Sequence, residues 1–349
     1  MSSCCLNCFT DKAIIELIQR EGVFGFCSFC HSDDILCVEP KRISNILELP
    51  LICLFPNENG KQLHELYQSD LMLISNKVEC AQTLLNEIMD DEYLGRCYSL
   101  KESITDYQNA WDDFKDQLIK INRFFPRSSL YSRIFTSDLL IEDQSTVESG
   151  VFLNTIEALS KTRHRNHVFY RARISEEELL SKDMGAPPPD KAAAGRANPI
   201  GIPYLYLAEE FNTCCREVRP SNGATLYVSE VLACRELKLV DLTSPKLKIS
   251  LLKFVEDELE LVLKFLNLLQ QFADELSKPV LPEKSHLEYI PTQFLCEYIR
   301  TIGPYDGIVF NSSYGNGKNV VLFSGSDLEI QTPTPHKVTS IDVTTCEVF

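Results

Sequence analysis

The chain has 349 residues, 44% hydrophobic and 24% charged, which is the make-up of a folded globular protein with room for two domains. Its net charge of −16, from 34 basic and 50 acidic residues, repels phosphate backbones, so a nucleic-acid partner is not expected without a local basic patch. No stretch supplies the ~18–20 apolar residues of a membrane span, and "MSSCCLNCFTDK" lacks the regions of a signal peptide; a cytoplasmic protein without a membrane partner is expected, its 14 cysteines mostly reduced.

Six of those cysteines fall within the first forty residues. "CLNC" and "CSFC" form two C-x-x-C pairs, Cys5 with Cys8 and Cys27 with Cys30. Four soft thiolates at this spacing suit a tetrahedral Zn²⁺ site without an open position, hence a structural one. Cys4 competes with Cys5, but only Cys5 has the x-x spacing to Cys8; His31 is expected to be a bystander. Between the pairs, Ile14, Ile15, Leu17 and Ile18 predict a short helix, with "EGVFG" as its stop and a turn.

Residues 60–125 read as helical, with one helix near 62–90 and another carrying Ile104, Tyr107, Trp111, Phe114, Leu118 and Ile121 on a core-facing stripe that ends at Pro126. The polar stretch 127–150 has no strong periodicity and reads as a seam between domains. Beyond it the pattern is mixed α/β. "HVFYRARI" (167–174) alternates as a strand, 184–201 is a Gly/Pro/Ala-rich loop, 202–210 a strand and 209–219 a short helix. Strands follow at 224–233 and 237–243, then a long helix at 250–277 and another at 289–303. The strands 306–313 and 319–325 close the pattern around the hairpin turn "YGNGK". The expected fold class is α+β, organised as a zinc knuckle at 1–50, a helical region at 51–160 and a mixed α/β domain at 161–349 with a helical insert near 250–277. The one basic cluster, "KTRHRNHVFYRAR" (161–173), is short and runs into a strand, which suits a small-ligand anion site better than RNA.

Four segments gather polar residues where strands meet loops: "FYRARI", "GRANPIGIPYLYLAEEFNTCCREV", "IPTQFL" and "GIVFNSSYGNGKNVVLF". In order and composition they resemble the RES domain over about 165–330, most specifically in the G-R-x-N loop, L-Y-L-A and a glutamate eleven residues after the tyrosine. The first fifty residues resemble the zinc knuckle found in front of some RES and HEPN-type proteins. The resemblance implies an ADP-ribosyltransferase-like fold and an enzyme that consumes NAD, several relatives being toxins with protein antitoxins. Matched residue by residue, the family's arginines fall on Arg171, with Arg173 competing, and on Arg196; its tyrosine falls on Tyr206, its glutamate on Glu217, and its serine on Ser312 or Ser313. Gln293 matches a glutamine shared with longer members. Two departures stand out: Ala197 replaces a tryptophan common in compact members, leaving any aromatic contact to Tyr170 or Tyr204, and compact members lack the 250–277 helix.

That chemistry suits these residue types. Cleaving the nicotinamide–ribose bond puts positive charge on the ribose, which a fixed carboxylate, Glu217, would stabilise. Arg171, Arg173 and Arg196 would clamp the pyrophosphate. Tyr206 would shape the nicotinamide end, with Gln293 and Ser312 or Ser313 orienting polar groups. On the residues alone, Arg171 and Arg173 could instead pair with Glu176–Glu178, Tyr206 could be core, and Glu217 could pair with Arg216 or Arg219. Water, phosphate or a protein as acceptor stays open, as do a homo-oligomer and a non-catalytic, zinc-dependent interaction protein.

Overall fold

The computed structural model describes residues 2–135, 147–281 and 283–341. Part of the stretch read as a seam, 136–146, lies outside the described residues. The chain forms two compact units: Met1–Phe114 with Ser128–Ala158 and Ser244–Gln270, and Lys115–Arg127 with Leu159–Thr243 and Gln271–Phe349.

The first unit begins with a small antiparallel sheet of β1 (Cys4–Cys5), β2 (Val23–Gly25) and β3 (Ile35–Val38), in the order β1-β3-β2. Helix α1 (Lys12–Glu21) starts where Asp11 accepts the Ala13 amide at 2.8 Å, and it buries Ile14 and Ile18. The turn expected at "EGVFG" is a strand instead, because Val23 and Phe24 extend into pairing with Cys37 and Leu36. Residues 60–125 are helical only in part. Strands β4 (Leu54–Gln62) and β5 (Cys97–Leu100) pair across a register break, and β5 is too short to show an alternation in sequence. Helices α2 (Ala81–Ile88) and α3 (Glu102–Asp116) occupy much of the rest, and the predicted stripe is buried from Ile104 through Leu118 while Ile121 is exposed. Helix α4 (Val147–Leu159) falls within the region expected to be helical, although its first residues belong to the stretch read as a seam and no individual helix was placed there; its apolar residues lie all round it, so no amphipathic period marks it.

The second unit is built on one nine-stranded sheet. Its strands are β6 (Ser160–Arg163), β7 (Val168–Ile174), β8 (Leu205–Ala208), β9 (Thr225–Ala233), β10 (Leu237–Asp241), β11 (Gly307–Asn311), β12 (Lys318–Leu322), β13 (Leu328–Ile330) and β14 (Thr334–Lys337). The order is β13-β9-β7-β8-β12-β11-β10-β6, with β14 also on β9. Only β10 and β11 run parallel; β11 and β12 are joined by the predicted hairpin, with Asn311 opposite Lys318. On one face, Phe169, Leu205, Leu207, Val231, Val309 and Val320 form the larger core. On the other, Ala172, Ala208, Leu226 and Val228 pack with Cys214 of α5 (Phe211–Glu217). The helix expected over 250–277 is α6 (Glu256–Ser277), whose residues to Gln270 belong to the first unit and from Gln271 to the second; it is opened by Glu256, Asp257 and Glu258, whose charges complement the positive end of the helix dipole. Helix α7 (Ile290–Ile302) follows.

The sheet is discontinuous in hydrogen bonding at one place, and that place defines the site. β7 pairs with β9 along its whole length, from Val168 opposite Leu232 to Ile174 opposite Leu226. With β8 it shares only Tyr170 opposite Ala208. Past that pair the two strands splay apart.

Candidate active site

The splay between β7 and β8 opens a cleft of about 600 Å³ in the second unit. Strand alternation puts Arg171 and Arg173 on the face of Phe169, whereas α5, carrying Glu217, packs on the opposite face with Ala172. Arginines and carboxylate line one cleft because the sheet is open between the strands that separate them.

Glu217 ends α5. Its Oε1 accepts the Ser312 hydroxyl at 2.5 Å and the Asn319 amide at 2.7 Å. Ser312 Oγ accepts the Tyr314 amide at 3.0 Å, which leaves its proton for Glu217. Neither Arg216 nor Arg219 pairs with this carboxylate; Arg216 reaches the Tyr314 carbonyl at 3.4 Å. The result is a carboxylate pinned from the β11–β12 hairpin.

The arginines are held by carbonyls and not by Glu176–Glu178. Arg171 Nη1 donates to the Tyr206 carbonyl at 2.6 Å, and Nη2 to Gly185 at 3.4 Å. It fills the notch where β7 leaves β8. Burial, with the Arg173 charge beside it, lowers its pKa to about 10, so it stays charged at neutral pH, and its buried Nε has no hydrogen-bond partner. Arg173 donates to Gly185 at 3.2 Å. Arg196, 9% exposed, donates to the Leu276 carbonyl at 3.0 Å and to Ser313 Oγ at 2.8 Å. Leu276 sits in the last turn of α6, where free carbonyls carry the negative end of the helix dipole. The helix over 256–277 therefore supplies an anchor for a motif arginine.

Tyr206 closes the G-R-x-N loop. Its hydroxyl accepts the Ala197 amide at 3.0 Å and donates to Asn198 Oδ1 at 2.7 Å. Burial pushes the phenol above its ordinary value, so it keeps its proton. A Cβ at Gly195 would overlap this hydroxyl, which explains the glycine. Gln293 donates to the Gly195 carbonyl at 2.8 Å and Thr292 to that of Arg196 at 2.6 Å, so α7 braces the loop from behind. Gln293, Ser312 and Ser313 are not among the residues lining the cleft; they act through Gly195, Glu217 and Arg196. Tyr170 and Tyr204 both line it, whereas Ala197 is buried and does not. Sequence reasoning missed Asn198 and Asn319. Both lay inside quoted motifs, but their partners are set by folding.

The first part of the basic cluster at 161–173 is paired with carboxylates. Arg163 bonds Glu209 at 2.7 Å, His167 the same carboxylate at 2.8 Å, His164 reaches Glu236 at 3.1 Å and Lys161 Asp241 at 3.4 Å. That pairing ties Lys161 and Arg163 to carboxylates, whereas Arg171 and Arg173 line the cleft.

In the first unit, the sulfurs of Cys5, Cys8, Cys27 and Cys30 lie within 4.8 Å of one another. Cys5 is 4.0 Å from Cys8 and 3.4 Å from Cys30, and Cys8 is 3.4 Å from Cys27. Tetrahedral sulfurs at ~2.3 Å from zinc stand about 3.8 Å apart, so the four thiols fit the ion. Cys4 points elsewhere, to the Val38 carbonyl at 3.6 Å, and His31 lies outside the group. Among the described residues, no helix is long and apolar enough to cross a membrane.

A mixed sheet with a hairpin-pinned carboxylate and three arginines in one cleft defines the class, and residues 168–342, half of the chain, match the RES domain. The chain belongs to the RES-domain family. A similar solved structure is the crystal structure of the M. tuberculosis MbcT–MbcA toxin–antitoxin complex, at 15% identity, covering 55% of this chain and 94% of that chain with a TM-score of 0.31. No curated protein matches the sequence.

Proposed function

We propose that this protein consumes NAD by breaking the bond between nicotinamide and ribose. The observation that carries the reading is Glu217, whose one oxygen is fixed by Ser312 and Asn319 at the wall of a cleft also lined by Arg171, Arg173 and Arg196. When the bond breaks, its electron pair leaves with nicotinamide, which departs neutral and needs no proton. The ribose carbon becomes cation-like, and a fixed carboxylate stabilises that charge without reorganising. The three arginines offset the pyrophosphate charges in a chain whose overall charge is −16. Family membership supports NAD as the substrate and, with it, a toxin restrained by a protein antitoxin.

The four thiolates of the knuckle would hold Zn²⁺ and stabilise the fold of the first fifty residues; with four protein ligands no position is left for substrate. The acceptor of the ribosyl group is read from the products of NAD turnover by the full chain. Free ADP-ribose means water, ADP-ribose 1″-phosphate formed only with added phosphate means phosphorolysis, and label retained on protein means transfer. Intact NAD under all three conditions contradicts the proposal.

A further inference from the structure

Asn319 lies inside a segment quoted from the sequence but received no role there, yet it stands where the sheet opens. On β12 it lies opposite Ala208 of β8, and Ala208 is the one residue of β8 that pairs with β7. Its side chain is buried, lines the cleft, and donates to Glu217 Oε1 at 2.7 Å. Ser312 donates to the same oxygen at 2.5 Å. Oε1 therefore takes both donors from the protein, and neither of those bonds uses Oε2. A carboxylate held by one donor can still turn about its terminal bond. Two donors on one oxygen, arriving from separate segments, fix the plane of the group.

Ser312 is itself oriented. The Tyr314 amide donates to its hydroxyl, and the Ser312 amide donates to the Gly317 carbonyl at 2.9 Å across the hairpin. The hairpin thus delivers one donor and the following strand the other. We infer that Asn319 is a positioning residue for Glu217: with Ser312 it occupies Oε1 and turns Oε2 toward the substrate. This rests on the reading of Glu217 as the group facing the ribose. It makes Ser312 a donor to the carboxylate and not a nucleophile, since its proton is committed to Oε1.

The test compares nicotinamide release by wild type, Asn319→Ala and Asn319→Asp in the full chain. Loss of a hydrogen bond to a charged group predicts a fall in kcat on the order of 10- to 100-fold for Asn319→Ala, with KM for NAD within about threefold. Asn319→Asp is slower still at neutral pH, because two carboxylates then share one site. Its kcat recovers as the pH falls and the introduced carboxyl regains a proton to donate; Asn319→Ala shows no such recovery. A purely structural asparagine would give neither the kcat-only loss nor the acid rescue. Unchanged kcat in Asn319→Ala, or an Asn319→Asp profile parallel to wild type, overturns the inference. If wild type releases no nicotinamide, it is the NAD reading that fails, and the contact is then read by NMR. The Asn319 side-chain amide signal, assigned by its absence in Asn319→Asp, shifts on Glu217→Ala if the bond exists; a signal that stays in place overturns the placement.

Discussion

Tyr206→Phe separates a phenol that holds the site together from one that touches substrate. The substitution keeps the ring and removes only the hydroxyl, which accepts from the Ala197 amide at 3.0 Å and donates to Asn198 Oδ1 at 2.7 Å. Both partners are buried, Ala197 at 0% and Asn198 at 3% exposed, so neither recovers a bond from water. Asn198 keeps its three amide contacts to the Ala193, Pro199 and Ile202 carbonyls, at 3.0, 3.1 and 2.8 Å, and cannot turn to compensate. Each buried group left unpaired costs ~1–3 kcal/mol, and partial relaxation brings the pair to ~2–4 kcal/mol. For a domain of this size that is a drop in Tm of roughly 4–16 °C. Circular dichroism melts of the two proteins at one pH measure it, with nicotinamide release beside them. The account predicts a large fall in Tm with kcat within about tenfold of wild type at a temperature where both are folded. A Tm within about 2 °C of wild type, accompanied by lost turnover, would refute it and put the phenol against the substrate.

Two further outcomes concern the first unit. Cys5→Ser or Cys27→Ser should abolish zinc binding, measured by atomic absorption on the purified chain, and lower the unfolding temperature of the knuckle; full metal content in either variant contradicts the four-thiol site. Glu148 accepts from Arg133 Nε at 2.8 Å and from the Tyr107 hydroxyl at 2.9 Å. Burial pushes its carboxyl up, but the hydrogen bonds from Arg133 and Tyr107 outweigh burial and hold it below its ordinary value. A carboxyl depressed in the folded state contributes stability above its unfolded pKa, and this is lost as pH falls through the folded value. Glu148→Gln should therefore flatten the acid side of the stability profile, below the ordinary carboxylate range, while leaving its alkaline side alone. Denaturant titrations at several acid pH values check this, and parallel profiles would count against it. The effect is modest, since Arg133 is half exposed and screened.

How much of this was legible in the sequence depended on whether the information was local. The C-x-x-C spacing placed all four thiols in one cluster, because a knuckle is a short-range structure. The alternation of "HVFYRARI" and the "YGNGK" turn found their strands and hairpin. Glu217, Tyr206 and the arginines were drawn to one cleft by motif. Their partners were not readable. Arg196 is held by the carbonyl of Leu276, eighty residues away in a helix whose apolar face announces burial but not what its last turn meets. Asn319 looked like one polar residue at the start of a strand, and its role arises from a register that pairs it with Ala208. Arg171 read as a free clamp, but the splay of two strands left the Tyr206 carbonyl without a ladder partner and the guanidinium supplied one. Strand β5 and helix α4 escaped because one is too short and the other too uniformly apolar to carry a period.

The central claim is that the Glu217 cleft breaks the nicotinamide–ribose bond. The most direct measurement is nicotinamide release from NAD by the purified full chain and by Glu217→Ala, both verified as folded by their melts. The account predicts steady release by wild type and a loss of ~10²–10³ in rate for the variant. Equal release from both proteins, or none from a well-folded wild type with and without phosphate and a cell lysate as protein acceptor, would contradict it.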